Sequence, residues 1–322
     1  MKKRKLGYTD LELTTVGLGT WAIGGPWQFG WGPQDDDEAV GAVLAALDSG
    51  INWIDTAPIY GLGHSEQLVG KALKQTSQKP FIATKCGLLW NDKREKVNCL
   101  EPRSIKEECH ESLKRLGVEV IDLYQMHWPE PDEDIEQAWE QMAKLAEQGK
   151  VRYIGVSNYN VEQIRRVQKI APVASAQPPY NMLRRGAENE LLGFCAENDI
   201  GVVAYSPMER GLLTGKFSQE RLSNLPLDDH RRRSPEFQEP LFTASLEVVE
   251  KLKPIAQRNN VTLAQLAISW ILRRSEVTAA IVGTRRPEQI VETSVAMDFE
   301  MGQEDLEEIE QLLAEREEKI NK

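Results

Sequence analysis

Asp55, Tyr60, Lys85 and His127 are the side chains in the first half of this chain that together could move a proton. A phenol at its ordinary pKa of about 10 is a poor acid at neutral pH. An ammonium beside it stabilises the phenolate, so Lys85 is expected to lower the pKa of Tyr60. A carboxylate beside the ammonium, Asp55, would hold Lys85 in place and keep it charged. His127 would add a second donor to orient a polar substrate atom. Each has an ordinary structural reading when taken alone: a turn cap for Asp55, a half-buried aromatic for Tyr60, a surface cation for Lys85, a satisfied core histidine for His127. What makes them a set is their placement, because they follow successive short apolar runs.

Eight such runs lie along the chain, at 16–18, 51–54, 81–83, 120–124, 152–156, 173–176, 201–204 and 279–282. Each has the length of a buried parallel strand and is bounded by glycine or polar residues. Amphipathic patterns with helical spacing separate them, at 65–74, 103–116, 135–147, 161–170, 187–198, 263–273 and 287–296. Alternating strand and helix predicts a parallel sheet. Eight units over 322 residues favour an α/β fold of the closed (β/α)8 TIM-barrel type, one domain over 1–322, rather than an open doubly wound sheet. Gly17-Leu18-Gly19-Thr20 lacks the third glycine of a dinucleotide fingerprint, which leaves the open-sheet alternative unsupported. Three pieces stand outside the units: a hairpin at 5–14 suited to plugging the barrel bottom, an aperiodic stretch at 208–240, and a charged terminal helix at 304–319.

Composition narrows the partners. The chain has 39 Lys and Arg against 50 Asp and Glu, a formal charge of −11. That field is wrong for nucleic acid or an anionic membrane surface. No apolar run approaches the roughly 18 residues of a membrane helix. The four cysteines have no CxxC spacing, and His64, His110, His127 and His230 have no close ligand spacing, so no metal is expected. These features predict a reduced, cytoplasmic protein.

In such a barrel, functional groups follow the carboxyl ends of the strands. The residues there are Gly19, Thr20 and Trp21, Asp55 with Tyr60, Lys85, His127, Ser157 and Asn158, Gln177, Tyr205 to Pro207, and Gly283 to Arg285. They fall within long ordered motifs: Gly50-Ile51-Asn52-Trp53-Ile54-Asp55-Thr56-Ala57 with Tyr60-Gly61; Ile82-Ala83-Thr84-Lys85; Ile121-Asp122-Leu123-Tyr124-Gln125-Met126-His127-Trp128-Pro129; Ile154-Gly155-Val156-Ser157-Asn158; Ala204-Tyr205-Ser206-Pro207; and Ile281-Val282-Gly283-Thr284-Arg285. Over nearly the whole chain the sequence resembles the aldo-keto reductase family. The run Gly211-Leu212-Leu213-Thr214-Gly215-Lys216 is similar to its bacterial and potassium-channel-subunit branches.

The resemblance implies an oxidoreductase that reduces a small aldehyde or ketone with NADPH and needs no metal. It makes Tyr60 the general acid, Lys85 and Asp55 its tuning partners, and His127 the group that orients the carbonyl. Ser157, Asn158 and Gln177 would hold the nicotinamide carboxamide, with Tyr205 stacked on its ring, and Gly19, Thr20, Trp21, Asp55, Ser206 and Pro207 would also contact the cofactor. Leu212, Thr214 and Lys216 would approach the pyrophosphate; Gly283, Thr284, Arg285, Gln289 and Glu292 would meet the adenosine end. Thr284-Arg285-Arg286-Pro287 also reads independently as an anion site: a helix start with Pro in its first turn and two arginines. Arg285 is the expected partner of the 2′-phosphate. Arg231-Arg232-Arg233 reads as a solvated run with a weaker phosphate role for one member. Trp21, Trp27, Phe29, Trp31, Trp90 and Trp128 are the expected walls of a compact apolar substrate pocket. Cys86, next to Lys85, should point away from the site by strand alternation. The alternative function is a regulatory subunit that uses bound NADPH as a sensor. Neither the physiological substrate nor the choice between monomer and homo-oligomer is readable at this stage.

Overall fold

A computed structural model describes residues 1–321. The eight apolar runs become eight parallel strands: β1 (Val16–Gly19), β2 (Trp53–Asp55), β3 (Phe81–Cys86), β4 (Ile121–Met126), β5 (Val151–Ser157), β6 (Ser175–Gln177), β7 (Gly201–Tyr205) and β8 (Ala279–Gly283). They pair in chain order, and β8 closes on β1. Every strand continues one to three residues beyond the carboxyl end of its apolar run, through Gly19, Asp55, Lys85, Gln125, Ser157, Gln177, Tyr205 and Gly283.

Side chains two apart on a strand share a face. Val16, Leu18, Ile54 and Ile82 point outward and pack with Val40, Val43, Leu68 and Val69 from the helices Asp36–Asp48 and His64–Leu73. On the other side of the barrel, Tyr124, Met126, Val156 and Val202 meet Trp139, Met142 and Ile164 of the helices Ile135–Glu147 and Val161–Gln168. The inward positions Trp53, Ala83, Leu123, Val203, Ala279 and Ile281 form the floor, together with Leu6, Leu11 and Leu13. Those leucines belong to the amino-terminal hairpin, whose strands Lys3–Lys5 and Glu12–Thr14 pair antiparallel. The hairpin therefore closes the bottom of the barrel, as its sequence suggests.

Two helices were not evident in the sequence pattern. Asp36–Asp48 starts at Asp35, whose side chain accepts the Glu38 N–H, and carries Asp36, Asp37 and Glu38 in its first turn. Those are strong start signals. Leu241–Arg258 contains Pro254 in its interior, which breaks the usual reading of a helix. A short hairpin, Leu88–Trp90 paired with Lys96–Asn98, also follows β3. The stretch 208–240 contains short helical turns and one five-residue helix, Gln219–Ser223. The terminal helix Gln303–Ile320 packs on Leu241–Arg258, with Arg258 pairing to Asp305 and Glu308. Among the described residues, no helix is long and apolar enough to cross a membrane.

The floor leaves no spare volume. A methyl group on Gly17 would stand 2.0 Å from the Trp53 indole, whose Nε1 donates to the Thr14 carbonyl at 2.9 Å. Gly17→Ala should therefore destabilise the protein by roughly 1–3 kcal/mol through overpacking. Gly193→Ala, in the helix Leu191–Glu197, meets nothing within 4 Å and should stabilise it by up to about 1 kcal/mol. Urea unfolding of the two variants checks the opposite signs.

Candidate active site

Above the apolar floor, the topmost inward layer is polar. Register places Asp55 beside Gly19, Lys85 beside Gln125, and Gln177 beside Ser157. The Lys85 ammonium donates to Asp55 Oδ1 at 2.5 Å, to the Thr56 carbonyl at 2.9 Å and to Tyr60 Oη at 3.3 Å. All three N–H directions of an ammonium are thus used. Asp55 Oδ2 accepts from Gln125 Nε2 at 3.2 Å and Gln177 Nε2 at 2.9 Å. Gln177 Nε2 also donates to Gln125 Oε1 at 2.9 Å, which spends both of its N–H groups. Gln125 is a member of this network that the strand-end reading passed over, because it precedes His127 inside the apolar-looking Leu123–Met126 part of the motif.

Burial sets the protonation states. The side chains of Lys85 and Asp55 are 0% and 3% exposed. Desolvation lowers the Lys85 pKa, while Asp55 opposes that shift. Tyr60 is held well above the ordinary phenol value by desolvation and by the Asp55 carboxylate. This corrects the expected downward shift: burial disfavours the phenolate, and the Asp55 carboxylate adds to that against the charge of Lys85. Tyr60 therefore stays protonated at neutral pH, with the Lys85 ammonium 3.3 Å from its oxygen. His127 is held well below its ordinary value by burial and by Lys85 and Lys96, so it is neutral. Its ring meets that of Tyr60 edge-on, with centroids 5.8 Å apart. Cys86 points outward, its Sγ 3.9 Å from Met142 Sδ, and burial pushes its thiol up.

Backbone geometry aims the set. Tyr60 sits in a turn where its N–H donates to the Ala57 carbonyl. Gly61 has φ +64, and a Cβ there would lie 1.9 Å from the Gly24 carbonyl oxygen. Two loops thus touch backbone to backbone beside Tyr60, which only glycine permits. Asn158 and Ser206, just past β5 and β7, have φ of 63 and 56. Such left-handed turns in non-glycine residues cluster at functional sites. The turn lets Asn158 Nδ2 donate to the His127 carbonyl and Asn158 Oδ1 accept from Tyr205 Oη at 2.8 Å. The outward face of β3 is anchored too. Thr84 donates to buried Glu66 at 2.6 Å, and Arg115 donates to the same carboxylate at 2.6 Å.

A cleft of about 560 Å³ opens over this layer. Of the residues expected to meet a dinucleotide, Gly19, Thr20, Trp21, Asp55, Ser157, Asn158, Gln177, Tyr205, Ser206, Pro207, Thr214, Lys216, Gly283, Thr284, Arg285, Gln289 and Glu292 line it. Leu212 does not. Its side chain is fully buried against Phe217, Phe237 and Phe242, where an apolar group is better placed than beside a phosphate. Arg285 lines the cleft, but its fork is not free. Nε donates to Gln34 Oε1 at 2.7 Å, Nη1 to the Trp31 carbonyl at 2.9 Å, and Nη2 to the Pro33 carbonyl. Arg286 is exposed and makes no ion pair among the described residues. The Arg231–Arg233 run is not simply solvated. Arg231 is paired in a fork with Asp229, and its guanidinium lies 4.4 Å from the Trp31 ring centre. Arg232 binds the Ser223 and Leu225 carbonyls, and Arg233 binds that of Gln28.

At the other end of the cleft, Trp21, Trp27, Phe29, Trp31 and Trp128 form walls as expected. Trp21 donates to the Phe29 carbonyl and Trp27 to that of Arg94. His230 Nδ1 bonds the Gly30 carbonyl at 3.0 Å, and its ring lies 4.6 Å from that of Trp21; burial lowers its pKa to about 4. Trp90 is the exception. It packs half-buried in the cluster of Trp27, Ile59, Leu88 and Trp128 behind the wall, while Leu88 and Lys96 of the same hairpin line the cleft. The overlooked signal for that hairpin is Asn91, whose side chain accepts the N–H groups of Lys93 and Glu95 and so builds the turn. Among the described residues, no three His, Cys, Asp or Glu side chains gather as a metal would require.

Comparison with known proteins agrees with this geometry. Residues 15–314 match the model of the Aldo/keto reductase family. The aldo-keto reductase YhdN of Bacillus subtilis (strain 168) is 39% identical over 316 residues, covering 97% of this chain and 94% of that protein. The NADH-specific methylglyoxal reductase of Escherichia coli (strain K12) is 36% identical, covering 95% and 96%. The solved glycerol dehydrogenase AKR11B4 of Gluconobacter oxydans superposes with a TM-score of 0.89 at 37% identity, covering 98% and 95%. The motifs, the closed barrel and the relatives agree: this chain belongs to the aldo/keto reductase family, whose oxidoreductases reduce carbonyl compounds with a nicotinamide cofactor.

Proposed function

We propose that the protein reduces a small aldehyde or ketone to the alcohol, with Tyr60 as proton donor and NADPH as cofactor. The observation that carries this reading is the buried, fully bonded Asp55–Lys85–Tyr60 arrangement beneath neutral His127. The bound cofactor supplies the hydride. His127 donates an N–H to the substrate oxygen and fixes its direction. Tyr60 passes its phenolic proton to that oxygen as negative charge builds there, and Lys85 stabilises the phenolate left behind. Asp55 keeps Lys85 charged in a site that would otherwise discharge it.

The donor set fits a nicotinamide dinucleotide. With both N–H groups spent, Gln177 offers its Oε1 to a carboxamide N–H, next to Ser157 and Asn158. Lys216, Arg221 and the start of the helix Pro287–Ser294 offer cations and N–H groups to phosphates. Arg286 lies just outside the cleft lining, next to Arg285, and is exposed with no ion pair among the described residues, so we assign the 2′-phosphate to it, while Arg285 acts as a tether for residues 31–34. The relatives named above are reductases and a dehydrogenase, which favours turnover over a sensor role.

Three outcomes follow from this reading. Tyr60→Phe should cut kcat at least about 100-fold while cofactor affinity, followed by fluorescence, stays within about twofold; unchanged turnover would remove Tyr60 as the donor. With Tyr60 protonated and His127 neutral around the ordinary imidazole pKa, kcat/KM for reduction should show no step between about pH 5.5 and 7.5. A limb centred near 6.5 contradicts the neutral imidazole. Arg286→Ala should lower the NADPH-over-NADH preference about tenfold, whereas Arg285→Ala should weaken both cofactors together by releasing residues 31–34. Selective loss of NADPH in Arg285→Ala alone returns the phosphate to Arg285.

A further inference from the structure

The substrate end of the cleft holds one cation whose role is not yet accounted for. Lys96 stands on the short hairpin after β3, directly across from Trp90, and its side chain lines the cleft beside Leu88. Among the described residues it makes no ion pair and no side-chain hydrogen bond. Glu130 accepts from the amide of Asn98, on the same hairpin strand, at 2.5 Å and makes no ion pair with Lys96. The four arginines of the cleft are committed: Arg210 to Glu236, Arg231 to Asp229, Arg221 to the Lys216 carbonyl, and Arg285 to carbonyl and amide oxygens. Those arginines, with Lys216, belong to loops on the cofactor side. Around Lys96 the walls are Trp27, Ile59, Leu88 and Trp128. Lys96 is also near enough to His127 for its charge to help hold the imidazole neutral.

From this geometry we infer that Lys96 is a specificity residue, selecting carbonyl substrates that carry a carboxylate separated from the carbonyl by an apolar spacer. A half-buried ammonium left without a partner beside an aromatic wall attracts an anion more strongly than one in open water. A single ammonium matches a monoanion; a phosphate dianion calls for more donors than this wall provides. The apolar walls suit a hydrocarbon or aromatic spacer, and among the described residues the one carboxylate lining this end of the cleft, Asp55, is paired with Lys85.

The inference rests on the reductase reading, and two measurements separate their failures. The first compares kcat/KM for 4-carboxybenzaldehyde and its methyl ester. Wild type should favour the acid, by a ratio that shrinks as salt rises from about 0.05 to 0.5 M. Lys96→Met should lower the acid-to-ester ratio about tenfold, and Lys96→Arg should keep it within about threefold. A ratio that is the same in wild type and Lys96→Met overturns the inference. The second measures binding of 4-(hydroxymethyl)benzoate and its methyl ester by quenching of tryptophan fluorescence, which needs no turnover. Preference for the acid that is lost in Lys96→Met supports the anion pocket even if neither aldehyde is reduced, an outcome that would instead sink the reductase reading. Equal binding of acid and ester by wild type overturns the role of Lys96.

Discussion

The buried ion pair between Lys85 and Asp55 governs the layout of this barrel. Removing two charges from water is expensive, and the loss is recovered only if every donor and acceptor finds a partner. Here the ammonium spends its three N–H groups on Asp55, Thr56 and Tyr60, and the second carboxylate oxygen is met by two glutamine amides. Gln125 and Gln177 must therefore stand at one height on β4 and β6. Breaking such a pair by removing one partner typically costs about 3–5 kcal/mol. The same network determines what chemistry is available. At Tyr60 burial dominates, the Asp55 carboxylate adds to it, and the phenol stays protonated.

A second buried charge supports the first from outside. Glu66, fully buried, is held by Arg115 and by Thr84, the residue before Lys85. Successive residues of β3 thus point to opposite faces and are each fixed by a carboxylate: Thr84 outward to Glu66, Lys85 inward to Asp55. The register of β3 cannot slip without stranding both. Above this rigid layer, the cleft walls are held by arginines bonded to carbonyl oxygens, Arg285 to Trp31 and Arg233 to Gln28. The net charge of −11 coexists with a cationic cleft because the cations converge from several loops onto one end of the barrel.

Much of this was legible in advance because barrel geometry converts chain order into position. Eight apolar runs predict eight strands, and polar residues just past most runs predict much of the inner layer, although Thr84 points outward and Gln125 was hidden inside its motif. The runs ended early by one to three residues for the same reason that the site exists: the last inward position of each strand carries a polar or glycine residue, so hydrophobicity stops before the ladder does. Asp36–Asp48 escaped notice although its start signals were strong, and Leu241–Arg258 because Pro254 interrupts its pattern. Trp90 and the side chain of Leu212 show where spacing misleads. Each has the right type and lies in the right loop, but each faces a local apolar cluster.

Sequence alone determined the fold class, the family and most residues of the inner layer, with Gln125 the exception, because local periodicity and motif order carry that information. Only the tertiary structure decided the sign of the Tyr60 shift, the commitment of Arg285 to Trp31, Pro33 and Gln34, and the freedom of Lys96. Those properties depend on desolvation and on which donors are already used. Both are sums over neighbours distant in the chain, such as the 251 positions between Gln34 and Arg285, and no spacing rule records them.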